Sequence, residues 1–477
     1  MKTLRSFAIL ALSLSFAAAA QAQELKTANF LDNYLYGYRL NPSVTPEGTA
    51  GFVGLGVGNI GLTGETNFGL SNFLFPLEDG RLVTGLNSAV NSDVFPGGLE
   101  EMSRVSAHIN ANILAIGTSG KKGGYGHFEI NVVSENEIGV PRTLFEALKT
   151  KNTTGSYKVE NLNFHTTDYL ELAYGRSKRK RDLAIGWTAK ALVGLARVNA
   201  AVDMAINTAG DNMWVQSQGT LQAAVCPFFT IGLDSEGNYD PSNLTINPQG
   251  IKPSGIGGAV DIGVSYYLLR DRLILGAAVR NLGMMKWTDN LYGQTSGTKV
   301  YINMDDSNMG DTFKDMIKFK PVEGSALGKL EMLPYSVNLS AKFKPFEFIT
   351  LGAVGTMYSY SGYTTKDIRL GAALTPFRQL NIAGTYSFGD QGSEIGVAAS
   401  VRLLGISLYA GLDAIQMRFS PQYVPLDPVC TTFNAGFAVA FGKSSPAAAK
   451  QKAEAKAAAK EKKEAKAQKA KKDSKKK

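Results

Sequence analysis

Residues 260–287 read VDIGVSYYLLRDRLILGAAVRNLGMMKW, and this stretch decides the fold. Val260, Ile262, Val264, Tyr266 and Leu268 are apolar on one parity, whereas Asp261, Gly263 and Ser265 on the other are polar or small. A period of two marks a β-strand. After a turn at Arg270 and Asp271 the alternation restarts, with Leu273, Leu275, Ala277 and Val279 against Gly276, Ala278 and Arg280. Two strands of about ten residues joined by a tight turn make a hairpin of the length a tilted strand needs to cross a bilayer, roughly 9–11 residues. The stretch therefore predicts one hairpin of a transmembrane barrel.

The chain begins MKTLRSFAILALSLSFAAAAQAQ: Lys2 and Arg5 precede an apolar run, and Ala20-Gln21-Ala22 stands before Gln23. This predicts a secretory signal peptide over residues 1–22, cut between Ala22 and Gln23. No cysteine follows the cut, which excludes a lipoprotein anchor, and no later apolar run reaches about 18 residues. Of the formal charge of +9, residues 443–477 carry +10 and the signal region +2, leaving residues 23–442 at −3. The mildly acidic body excludes a nucleic-acid partner; the basic balance belongs to a tail. Two cysteines, Cys226 and Cys430, exclude a zinc ribbon or a disulfide-dense scaffold.

Further strands are expected near 103–113, 128–132, 165–175, 183–206, 213–225, 257–268, 273–284, 334–343, 348–357, 368–375, 380–388, 394–401, 406–412 and 432–441. The expected fold is all-β, a transmembrane antiparallel barrel of about 14 strands, with 12 or 16 as alternatives. Residues 141–149, PRTLFEALK, place Leu144, Phe145 and Leu148 at helical spacing and predict a short amphipathic helix. If both ends of the barrel face the periplasm, long connections at 413–431, 285–333 and 226–256 fall outside, and short links at 344–346, 376–378 and 270–271 fall inside. The segment 137–164 breaks this rule, being long yet expected on the inner side. The parity opposite the apolar one carries Asn338, Ser340, Gly371, Ala373, Gly396 and Ala398, as a crowded polar lumen would. Closure also removes the exposed edges of so many strands.

Four segments result: the signal peptide at 1–22, a cap or plug at 23–100, the barrel at 101–442, and a Lys/Ala-rich periplasmic tail at 443–477, expected to be disordered or partly helical. Within the second, GFVGLGVGNIGLTG alternates like one Gly-rich strand, and its formal G-x-G-x-x-G at Gly56–Gly61 lacks the following helix a dinucleotide site requires.

The stretch WTAKALVGLARVNAAVDMAINTAGDNMWVQSQGTL, the early YLYGYRLNPSVTPE and the 260–287 hairpin resemble a domain of unknown function common in Bacteroidota outer-membrane proteins. More distantly, the D-x-G-x-x-Y and A-x-x-N-x-G patterns at Asp261 to Tyr266 and Ala278 to Gly283 are similar to fourteen-stranded barrels of the long-chain fatty-acid transporter type, which include the barrel subunit of the type IX secretion system. The resemblance implies a barrel in the Gram-negative outer membrane, with lipid, lipopolysaccharide and the barrel-assembly machinery as partners. It carries over no ligand residue.

Chemistry is sparse. His108, His127 and His165 lack metal-ligand spacing, and His108, sharing a parity with Asn110 and Asn112, is expected to make a lumenal hydrogen bond. No serine-hydrolase elbow occurs, and neither cofactor nor catalytic residue is expected. Arg176, Lys178, Arg179, Lys180 and Arg181 form a basic run on an expected outer turn, a candidate contact for lipopolysaccharide phosphates. Cys226 and Cys430 both fall on expected outer loop bases, where a disulfide is permitted. The functional expectation is uptake of a small molecule, a hydrophobic one on the resemblance. The alternative is a scaffold holding proteins or cell wall through its loops and basic tail.

Overall fold

Fourteen antiparallel strands close on themselves. In the computed structural model, residues 24–442 are described except 47–48, 92, 121–123, 150–153, 211, 248–249, 251, 296–298, 304–317, 325–327, 361–362, 391 and 417. The signal peptide with its Ala22–Gln23 junction and the lysine-rich tail lie outside the described residues. The wall consists of β1 (Gly51–Thr66), β2 (Met102–Ser119), β3 (Gly124–Pro141), β4 (Gly155–Lys180), β5 (Leu183–Ala209), β6 (Gly255–Leu268) and β7 (Leu273–Thr288). It continues with β8 (Tyr335–Phe346), β9 (Ile349–Ser359), β10 (Thr364–Phe377), β11 (Leu380–Gly389), β12 (Gly392–Leu403), β13 (Ile406–Gln416) and β14 (Cys430–Phe441). Each pairs with the next, and β14 pairs with β1.

The faces are inverted relative to a water-soluble protein. Leu370 is 50% exposed while its neighbour Arg369 is 1% exposed. Ile262, Val264, Ile382 and Phe433 are likewise exposed, whereas Asp261, Ser265, Asn381 and Asn434 beside them are buried. An apolar exterior on a closed sheet is stable only where the surroundings are hydrocarbon, and closure leaves no backbone group unpaired there.

The strand total matches expectation, but its membership differs. The Gly-rich segment expected in the cap or plug is β1, paired on both sides, so residues 51–66 belong to the wall, and of the described residues, 24–46, 49 and 50 precede it. Conversely Asn212–Val225 is not a wall strand. β5 runs for 27 residues and changes partner: residues up to Gly194 pair with β6, and those from Ala196 pair with Asn212–Val225. The overlong strand expected at 183–206 is thus one strand serving two sheets. Beyond the wall, Asn212–Val225 pairs in turn with Leu291–Thr295 and Lys299–Asn303, forming an outer ribbon. Its branch point is secured by two fully buried side chains: Trp287, packed where Gly194 and Gly255 leave no room for another side chain, and Arg197, bridging Asp289 (3.3 Å) and Glu331 (2.6 Å).

Replacing one strand by another also resolves the broken parity. With β1 in the wall, the connection from β3 to β4 falls at the same end as the other long connections. It carries the expected helix, α1 (Arg142–Lys149), whose Leu144 and Ala147 pack on Val159, Val202 and Met204. The turns from β4 to β5, β6 to β7, β8 to β9, β10 to β11 and β12 to β13 lie at the opposite end, where the chain also enters β1 and leaves β14, while the links from β9 to β10 and from β11 to β12 are the short ones at the end of the long connections. The Arg176–Arg181 run lies at this short-turn end and not at the end of the long connections, where it was expected, because β4 runs to the turn that leads into β5.

Candidate functional site

The lumen is filled by residues 24–46, which form two short 3-10 turns, Lys26–Phe30 and Gly37–Arg39. In YLYGY the tyrosines recur every second residue, and each meets a different partner on the wall or beside it. Tyr34 meets Tyr409 edge-on (4.8 Å between centroids), Tyr36 meets Phe52 (5.3 Å), and Tyr38 stacks on His127 (4.0 Å). Burial pushes the Tyr36 and Tyr38 phenols up, so both remain protonated hydrogen-bond donors at neutral pH.

Polar contacts fasten this plug on several sides. The Arg39 guanidinium donates to Glu129 (2.9 Å), Glu24 (3.2 Å) and Asn131 (2.7 Å), and the Tyr38 hydroxyl donates to Glu129 at 2.5 Å. From Asn131 the network runs along the wall: its amide donates to Glu171 (3.0 Å), and Lys190 pairs with Glu171 (3.3 Å) and Asp261 (3.1 Å). These side chains project inward from β3, β4, β5 and β6 and form one charged ladder. Beside it lies a cavity of about 40 Å³ lined also by Arg280 and Tyr358, room for about three waters at roughly 10–15 Å³ each. A second fastening joins Lys26 to Asp367 (2.6 Å) and its backbone N–H to Asp413 (2.6 Å), the latter shared with Arg369 (3.2 Å). At the short-turn end Lys344 pairs with Asp32 (2.7 Å), and Arg402 donates to the Asn33 carbonyl (2.7 Å).

Small wall residues make room for the plug. Gly186 and Gly263 face each other across β5 and β6, and a Cβ on either would overlap Asn41 or Pro42. Pairing of β1 with both neighbours shifts register between Val53 and Asn59, and there the Tyr36 hydroxyl donates to the Gly58 carbonyl (2.9 Å). The formal G-x-G-x-x-G lies in this bulged strand, with no helix after it.

Among the described residues no backbone–backbone hydrogen bond joins residues 24–46 to the wall; the first such bond is from Ala50 to Phe441. Among the described residues every hydrogen bond between the plug and the wall therefore has a side chain on at least one side.

The other expected residues fall apart in space. Arg179 points inward, pairs with Asp271 (2.5 Å) and lies over the Tyr267 ring (3.6 Å), whereas Arg176, Lys178 and Lys180 face outward. Cys226 and Cys430 are both buried and free, each in its own setting: Cys226 against the Gly250 carbonyl, Cys430 against Glu65. The permitted disulfide is not formed. His108 stacks on Tyr360 (5.0 Å), and among the described residues neither ring nitrogen has a hydrogen-bond partner, so the expected lumenal hydrogen bond is not found there. No cluster suited to a metal ion occurs among the described residues.

A closed, lipid-faced barrel with an inserted N-terminal segment defines a plugged transmembrane β-barrel of outer-membrane type. Residues 42–413 match the family of unknown function DUF5723, and the chain belongs to that family. Solved structures similar to it include the toluene transporter TodX of P. putida, at 10% identity and a TM-score of 0.43, covering 89% of this chain and 96% of that one. The toluene transporter TbuX of Ralstonia pickettii is similar at 9% identity and a TM-score of 0.38, covering 89% and 95%. The translocator domain of the autotransporter NalP from Neisseria meningitidis is similar at 8% identity and a TM-score of 0.31, covering 83% and 90%. No curated protein matches the sequence.

Proposed function

We propose that this barrel passes a small molecule across the outer membrane through a lumen that residues 24–46 close at rest. The observation that carries the reading is the manner of attachment: the plug is held by side-chain contacts and no ladder hydrogen bonds, so it can leave without unravelling a wall strand. The lining it covers is aromatic on one side, at Phe52 and Tyr409, and charged on the other, at Glu129 and Glu171. That pairing suits a ligand with an apolar body and a polar head. In this reading the short-turn end faces the periplasm and the long connections face outward, the usual layout of such barrels.

The test is conductance in planar bilayers. The full-length protein is expected to be silent, and a variant lacking residues 24–46 is expected to give steady openings and to admit small solutes into liposomes. A silent deletion variant that still shows the electrophoretic shift of a folded barrel would overturn the reading. It would favour a non-transporting scaffold, which the ordered outer ribbon on β5 supports.

A further inference from the structure

The exterior near the short-turn end holds a groove of about 740 Å³ on the lipid side of β2 to β5. Its construction follows from register. One transverse row aligns Ile116, Phe128 and Tyr174, all facing out. The next row toward the turn aligns Thr118, Gly126, Arg176 and Trp187, and the row after it aligns Gly124, Lys178 and Ile185. On β3 the two glycines leave the sheet bare, so the groove has a backbone floor with Thr118 on one bank and Arg176 and Lys178 on the other.

Three features point to one occupant. Tyr174 and Trp187 meet edge-on (6.0 Å between centroids), an aromatic pair of the kind that marks the level where hydrocarbon gives way to head groups. Lys178 lies four residues beyond Tyr174, about 13 Å further along the strand, at head-group height. Arg176 and Lys178 also carry no ion pair among the described residues, unlike the inward Arg179. Two unpaired cations beside an apolar channel complement a ligand with a negative head and a hydrocarbon tail.

We propose that this groove seats one anionic phospholipid, its phosphate between Arg176 and Lys178 and an acyl chain running over Gly126 toward Ile116 and Phe128. A free phosphate would leave the apolar row unused. The site is independent of the lumen and of whether the plug moves.

The experiment is native mass spectrometry of the full-length protein released from mixed vesicles of phosphatidylglycerol and phosphatidylcholine. Wild type is expected to retain one phosphatidylglycerol with a preference of roughly tenfold or more, on the scale of two basic residues near a charged surface. The double variant R176Q/K178Q is expected to lose the preference. Gly126→Leu is expected to lose the bound lipid with both charges kept; a Cβ there meets nothing nearer than 3.7 Å, so the strand tolerates it. Equal retention of both lipids by wild type would overturn the proposal. So would an undiminished preference in Gly126→Leu, which would mean that charge alone attracts lipid and no seat exists.

Discussion

Arg39 on the plug and Glu129 on β3 are both buried, and the guanidinium donates to the carboxylate at 2.9 Å. This pair ties the lumenal segment to the wall. Breaking a buried pair from one side leaves the other charge stranded, a penalty of about 3 kcal/mol. Arg39→Ala is therefore expected to unseat the plug, seen as channel openings in bilayers and as new protease cleavage within residues 24–46. Arg39→Ala/Glu129→Ala is expected to recover part of the closure, because Glu24 alone, and no longer Glu129 as well, is left without its cation. Openings as frequent in the double variant as in the single one would show that the pair is incidental.

A steric route reaches the same end. Gly186 and Gly263 lie directly beneath Asn41 and Pro42, so Gly186→Leu fills the space that the plug occupies. Its expected phenotype is an open channel in a barrel that still migrates as folded. Unchanged silence would mean that the plug repacks around the new side chain.

The two faces of β10 give a stability test. Leu370→Lys places a charge on the lipid face near the middle of the strand and is expected to destabilise the barrel by about 2–4 kcal/mol in urea titrations of vesicle-refolded protein. Thr385→Ala, on the lumenal face of the neighbouring β11, removes its hydrogen bonds with Arg369 (3.2 Å) and Thr27 (2.6 Å) and is expected to lose only about 1–2 kcal/mol. Equal effects would contradict the assignment of inside and outside.

Cys226 and Cys430 are free, so two thiols are expected per denatured chain under non-reducing conditions. A count of zero would reinstate the disulfide.

The architecture was legible because alternation is a local property. The hairpin at 260–287 became β6 and β7 with its expected faces, and β14 alternates in the same way, with Phe433, Val439 and Phe441 exposed. What failed was neighbourhood. Residues 213–225 and β1 alternate equally well, and nothing local says that one leaves the wall while the other closes it. β1 was legible as one Gly-rich strand but was assigned to the cap or plug, and the room that Gly54 and Gly58 leave for Tyr36 shows only in the structure. The charged ladder was half visible: Glu171, Lys190 and Asp261 each lie on the polar parity of an expected strand, but only register brings them into line. The residues expected to bind anions were recognised as a run, yet a strand splits such a run between two faces.

β5 is one unbroken strand from Lys190, at the ladder, to Met204, in the core beneath the outer ribbon, a span of about 45 Å. Along that span its register against β4 steps at Leu195, between Gly194 and Ala196, the same point at which its other edge passes from β6 to the ribbon. The outer ribbon and the lumenal charges are thus mounted on the two arms of one beam, with a step where the sheets part.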